Sequence, residues 1–286
     1  MKPKSILKKF IDLILYSNLW IALAAVSMSL QTQWLLFGEL RWDPLFGFIF
    51  FATLCLYAIH RLVGLSKVKP FQEAGRFKVI ARYQSHILIY ALVSAVAAAW
   101  FFFRLPWRLQ LAAILPSLIA LGYVLPVVGG SKRLRDLHYL KIFLIAIAWS
   151  WITAGLVAAN NHWAMTLPAL VLLLERAFFV FAITLPFDIR DLQVDAFTKV
   201  ETLPARLGIR RSKGLAAAAL LLMLALVAWN YRMNVYGLPQ ALALLVSALL
   251  SYGLIHFSDR VRHDYYFTGL IDGMMIVQFL LVLAAY

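Results

Sequence analysis

A single cysteine, Cys55, leaves this 286-residue chain without an intrachain disulfide and without a thiolate metal site. It lies inside an apolar run, where it reads as a small buried apolar residue. Acidic residues are scarce: 13 Asp and Glu face 27 Lys and Arg, a formal net charge of +14. Long polar stretches are missing too. The two largest, about residues 64–85 and 188–213, are too short to build a core, which excludes a separate soluble domain. The remainder is apolar, with 63% hydrophobic residues and a mean hydropathy of +0.82, far from the composition of a soluble domain.

The apolar residues fall into nine runs long enough to span a bilayer, about 11–31, 44–63, 86–103, 109–126, 139–158, 166–187, 214–231, 237–256 and 265–285. Spans of this kind satisfy their backbone hydrogen bonds internally, so the expected fold is all-α, a polytopic membrane protein. One transmembrane helical domain covers 1–286, with cytoplasmic loops at about 64–85, 127–139 and 188–213. Between the runs, 22 Lys and Arg gather on one side and four, Arg41, Arg104, Arg108 and Arg232, on the other. By the positive-inside rule the N-terminus is cytoplasmic and, with nine spans, the C-terminus lies on the opposite side of an inner cell membrane. The first run is too long for a signal peptide and no small-residue cleavage site closes it, so it is expected to remain as a span. Because the basic residues flank spans, their partners are anionic membrane lipids rather than nucleic acid. Nothing in the sequence points to a protein partner.

The segment DIRDLQVDAFTKVETLPARLG, from Asp188 to Gly208, concentrates acidic residues at the end of the sixth run. On one continuous helix Asp188, Asp191 and Asp195 fall within an arc of roughly 60°, so their charges converge and repel. A divalent cation such as Mg²⁺ relieves that repulsion, and Mg²⁺ favours one or two carboxylates together with phosphate oxygens. Taken alone, the segment also reads as a solvated helix end. The interleaved Arg190, Lys199 and Arg206 supply the mixed field that a metal-bound diphosphate requires. Inside spans, Glu175, Arg176 and Asp272 each carry an insertion cost of about 2.5–3.5 kcal/mol. Either Arg176 pairs with Asp272 between helices, or these residues line a polar cavity.

The pattern Asp-xx-Asp-xxx-Asp, followed by a basic loop and TLPARLG, resembles the second aspartate-rich motif of the UbiA superfamily of intramembrane prenyltransferases. The nine-span plan extends the similarity over nearly the whole chain. The resemblance implies a UbiA-like bundle with a central cavity and Asp188, Asp191 and Asp195 as catalytic residues holding Mg²⁺. It also implies transfer of a prenyl group from a polyprenyl diphosphate to a lipophilic, typically aromatic, acceptor in the membrane. GYVLPVVGGSKRLRDLHYLK resembles the family's loop with a Tyr and a Lys, here Tyr123 and Lys132, with Arg133 or Lys141 as alternatives for the cation. Asp272 resembles an acidic position of the last helix.

One part departs from the family. Where an Asn and aspartates are expected near the end of the second helix, residues 57–65 read YAIHRLVGL, offering His60 and Arg61, with Lys67 following. Substrate contacts are thus expected from His60, Arg61, Lys67, Tyr123, Lys132, Arg190 and Asp272, with cationic donors in place of one metal-mediated clamp. The alternative is a UbiA-like protein that binds an isoprenoid without reacting it; a transporter built on the midplane charges is a third reading. Phe178, Phe179 and Phe181 are candidates for the wall of a prenyl tunnel or for ordinary span residues.

Overall fold

A computed structural model describes residues 6–67, 75–127, 133–163 and 165–285. Among them there is no strand, and nine helical stretches are long and apolar enough to cross a membrane. The chain is an all-α polytopic bundle. Its helices are α1 Ile6–Tyr16, α2 Leu19–Phe37, α3 Pro44–Lys67, α4 Gly75–Arg82, α5 Gln84–Phe103 and α6 Trp107–Val124. A 3₁₀ turn at Leu134–Asp136 leads to α7 Leu140–Ser150, which continues through a π-helical turn at Trp151–Gly155 into α8 Leu156–Asn160. Then come α9 Leu167–Arg190, α10 Leu192–Phe197, α11 Leu203–Leu207, α12 Ile209–Arg232 and α13 Leu238–Phe257. A second π-helical turn, Tyr265–Ile271, opens α14 Asp272–Ala284.

The first span differs from the hydropathy reading. Residues 11–31 read as one mostly apolar run, yet the helix breaks after Tyr16 because Asn18 adopts a left-handed conformation at φ 65°, which Asn tolerates better than most residues. Buried Asn18 is held there by a hydrogen bond from Nδ2 to the Tyr90 hydroxyl at 3.1 Å. The spanning helix is therefore α2, ended at Gly38 (φ 68°), whose N–H donates to the Trp34 carbonyl. Helix α1 becomes a separate segment ahead of the first span. The other eight spans begin and end within a few residues of the apolar runs.

Small side chains decide which faces meet. Helix α2 buries Ala22, Ala24, Ala25 and Ser29 and packs against α3 and α14, since small residues let helix backbones approach closely where lipid supplies no hydrophobic drive. Helix α5 turns Leu88, Ile89, Leu92 and Val96 outward, as a lipid-facing helix does. At the base of α3, Asp43 Oδ1 accepts the Leu45 N–H at 2.8 Å, and Pro44 begins the helix.

Two fully buried charges stabilise the centre without pairing as expected. Arg176 donates to the Met28 carbonyl at 2.8 Å and to Thr32 Oγ1 at 3.3 Å, while Glu175 accepts from the Tyr236 hydroxyl at 3.0 Å. No Arg176–Asp272 ion pair forms, because Arg176 faces α2 and Asp272 faces a cavity on another side of α9. Glu175→Ala or Arg176→Ala leaves the other charge buried and is expected to cost about 3–5 kcal/mol. The Glu175→Gln/Arg176→Met double variant should lose less than the two single changes together, measured by unfolding in detergent micelles.

Candidate functional site

A cavity of about 320 Å³ opens at the basic end of the bundle, between the α1–α2 junction and helices α3, α6, α7, α9 and α14. Its interior is mostly apolar, walled by Leu56, Ile119, Leu144, Val180, Ile183 and Met275, and its mouth is charged. That combination suits a ligand with a polar head and a hydrocarbon body. The cavity wall on α9 includes Val180, Ile183 and Phe187, and not Phe178, Phe179 or Phe181. Phe179 is packed in the core and Phe181 meets the Phe143 ring at 5.5 Å, because the helical rotation of α9 aims those side chains at other neighbours.

The three aspartates reach this mouth by a route the spacing did not show. Helix α9 ends at Arg190, and Asp191 (φ −91°, ψ 8°) stands at a kink before α10, so the residues do not share one continuous helix. Asp188, Asp191 and Asp195 nonetheless all line the cavity. Each already has a cation. Lys141 Nζ, from the first turn of α7, lies 2.6 Å from Asp188 Oδ1 and 3.4 Å from Asp195 Oδ2. Arg190 donates from Nε and Nη2 to the two oxygens of Asp191, at 2.8 and 3.1 Å. Burial pushes the Asp195 carboxyl above the usual carboxylate range, against the pull of Lys141 and with the neighbouring Asp191 and Asp188 adding to the rise.

The opposite wall carries no carboxylate at 57–65. There His60, on α3, accepts from Arg135 Nη1 at 2.7 Å through Nε2; a guanidinium only donates, so this ring nitrogen is unprotonated. The Arg135 guanidinium also lies 5.3 Å over the Tyr123 ring, which stacks on His60 at 5.8 Å. Local packing sets this triple contact. Leu134 seats against Gly122, where a Cβ would approach Leu134 Cδ1 to 2.7 Å, and Asp136 accepts the Arg133 backbone N–H at 3.0 Å and its Nη2 at 2.8 Å. Burial by itself lowers the Arg135 guanidinium pKa, but Tyr123 and the carboxylates Asp195, Asp191 and Asp136 outweigh it and the net shift is upward, so it stays a cation.

The remaining sequence candidates divide. Arg61 lines the cavity, but its guanidinium donates to the carbonyls of Tyr16 and Leu15, holding the C-terminal end of α1. Asp272, on the α14 wall, has Arg190 and Arg61 as electrostatic partners. Arg190 additionally packs over the Phe187 and Phe267 rings at 5.1 and 4.9 Å. Lys132 and the side chain of Lys67 lie outside the described residues. The residues that the sequence reading undervalued are Lys141, which entered only as a stand-in for Lys132, and Arg135. The available signal was a lysine placed one residue inside an apolar helix, where a cation needs a buried partner.

Whether these groups fit a divalent cation is a question of donors. Among the described residues no three His, Cys, Asp or Glu side chains form a metal-holding group. Lys141 stands between two of the aspartates and Arg190 covers both oxygens of the third, so the arrangement does not fit Mg²⁺. The charge relief that the aspartate spacing demanded comes from the protein's own cations.

No family model and no curated protein sequence matches this chain. Solved structures do. A UbiA homologue from Archaeoglobus fulgidus, bound to GPP and Mg²⁺, has 12% identity and a TM-score of 0.65, covering 94% of this chain and 99% of that one. The apo UbiA homologue from Aeropyrum pernix K1 has 14% identity and a TM-score of 0.65, covering 96% and 97%. A structure described in terms of the biosynthesis of digeranylgeranylglyceryl phosphate synthase in membranes has 14% identity and a TM-score of 0.56, covering 98% and 96%. At these identities the likeness establishes the fold alone, that of the UbiA homologues, for nearly the full chain.

Proposed function

From that shared fold as premise, we propose that this chain binds a polyprenyl diphosphate with its headgroup at the charged mouth and its tail in the apolar cavity. The prenyl group then passes to a lipophilic, aromatic acceptor held in the membrane. The observation that carries this reading is one continuous cavity whose interior is apolar and whose mouth gathers Arg133, Arg135, Lys141 and Arg190. Neighbours with the same fold are bound to GPP or DMAPP together with Mg²⁺. By the Lys and Arg asymmetry the mouth faces the cytoplasm, where soluble diphosphates are available.

The chemistry asked of the chain is ionisation. The allylic C–O bond breaks, its electron pair leaves on the diphosphate, the acceptor ring closes a C–C bond to the cation, and the ring proton is released to solvent. Arg135 and Arg133 act as fixed donors on the departing oxygens, where preorganised charge lowers the barrier most. Asp272, a carboxyl group on the α14 wall, is placed to offset the allylic charge when ionised. Because Lys141 and Arg190 occupy the aspartates, the arrangement supports a headgroup held by side chains rather than the Mg²⁺-dependent transfer expected from the spacing.

The test is pyrophosphate release from geranyl and farnesyl diphosphate by the protein in proteoliposomes containing a quinone-precursor-like aromatic acceptor. A second reading, binding without transfer, is favoured by the absence of carboxylates at 57–65. Saturable binding with no released pyrophosphate selects it, and movement of unmodified substrate across the bilayer selects a transporter. Cavity length gives a sharper check. Ile183→Trp fills the apolar wall and is expected to cut release from the longer donor about tenfold while sparing the shorter one. Equal loss for both donors would argue that the tail lies elsewhere.

A further inference from the structure

We infer that diphosphate capture by this chain is independent of divalent metal: Lys141 is a built-in counter-ion for the aspartates and Arg135 is the headgroup donor. The inference rests on the proposed function and adds to it the identity of the cation. Lys141 Nζ takes the place between Asp188 and Asp195 that a bridging dication would fill, at 2.6 and 3.4 Å. The ammonium and the two carboxylates are all buried, so the lysine cannot swing into solvent without exposing an unneutralised acidic pair. Arg190 closes off Asp191 in the same way, by a two-point contact at 2.8 and 3.1 Å.

The other wall supplies positive charge rather than a second acidic cluster. Arg135 gives its hydrogen bond to the His60 ring, and its guanidinium, which Asp195, Asp191 and Asp136 already attract, lines the cavity where an incoming anion would sit. The Tyr123 ring, 5.3 Å from the guanidinium, restricts its orientation, and planar donors in a set orientation match phosphate oxygens. One more donor waits beside it. Nη1 of Arg133 is buried without a hydrogen-bond partner, whereas Nη1 of Arg190, also without a hydrogen bond, lies 3.6 Å from Asp264 Oδ1; both residues line the cavity. A buried guanidinium N–H without an acceptor is costly, and a phosphate oxygen is an acceptor of the right charge.

The experiment measures binding of geranyl diphosphate to the full chain in nanodiscs, by calorimetry, in EDTA and in millimolar Mg²⁺. Wild type is expected to bind with the same Kd in both, within about twofold, and Arg135→Ala to bind about tenfold or more weakly in both. Lys141→Ala, which vacates the place between the aspartates, is expected to lose binding in EDTA and to recover it with Mg²⁺, together with a Mg²⁺-dependent rise in Tm absent from wild type. If Lys141→Ala fails to fold, the wild-type and Arg135→Ala measurements still decide. Wild-type binding that appears only with Mg²⁺, or that ignores Arg135→Ala, overturns the inference while leaving the proposed function in place. No binding under either condition overturns both.

Discussion

Lys141→Ala is expected to destabilise the protein by about 3–5 kcal/mol, the range for removing one partner of a buried ion pair. The size follows from position. Lys141 serves two carboxylates at once, and both Asp188 and Asp195 are buried at the end of the bundle, where water cannot replace the ammonium. Unfolding of the purified chain in mixed micelles, followed by helical circular dichroism, measures the loss. The Lys141→Met/Asp188→Asn double variant tests the cause: it removes charge on both sides and should recover part of the loss. A double variant as unstable as the sum of its parts would mean that packing, not charge, dominates at this position.

Arg135→Ala is the second large effect, this time on chemistry. A preorganised donor to a departing anion is worth about 10²–10³ in rate, or roughly 2.7–4 kcal/mol, so pyrophosphate release should fall by that factor. Folding should be affected less than in Lys141→Ala, because the hydrogen bond of Arg135 goes to the His60 ring. Arg135→Lys keeps the charge but loses the planar fork and its contact with Tyr123, so only part of the rate is expected to return. His60→Ala removes the acceptor that orients Arg135 and should produce a smaller fall. A rate unchanged in Arg135→Ala would remove this residue from the headgroup site, and a fall equal to that of Arg135→Ala in His60→Ala would show that orientation is all that Arg135 requires.

The separate position of α1 gives Arg61 a role besides the headgroup contact that its place in YAIHRLVGL suggested. A cation at the end of a span next to an expected phosphate site reads as a ligand; the same cation is equally suited to a helix C-terminus, and only the break at Asn18 brings that terminus within reach. The aspartates show the reverse case. Their spacing correctly put three acids at one mouth although the continuous helix assumed for them does not exist, because the kink at Asp191 turns the chain without carrying Asp195 out of the cavity.

The sequence by itself determined the all-α bundle, eight of the nine spans to within a few residues, the basic end, and the acidic segment at that end. Those properties depend on run length and composition, which are one-dimensional: a backbone in lipid must be helical wherever about twenty apolar residues occur together. Tertiary structure decided the partners. That Lys141 meets Asp188 and Asp195, that Arg135 meets His60, and that Arg176 faces Met28 rather than Asp272 depends on how far each helix is rotated and slid against its neighbours. Small residues and buried hydrogen bonds set those rotations, while hydropathy is the same for every rotation of an apolar helix.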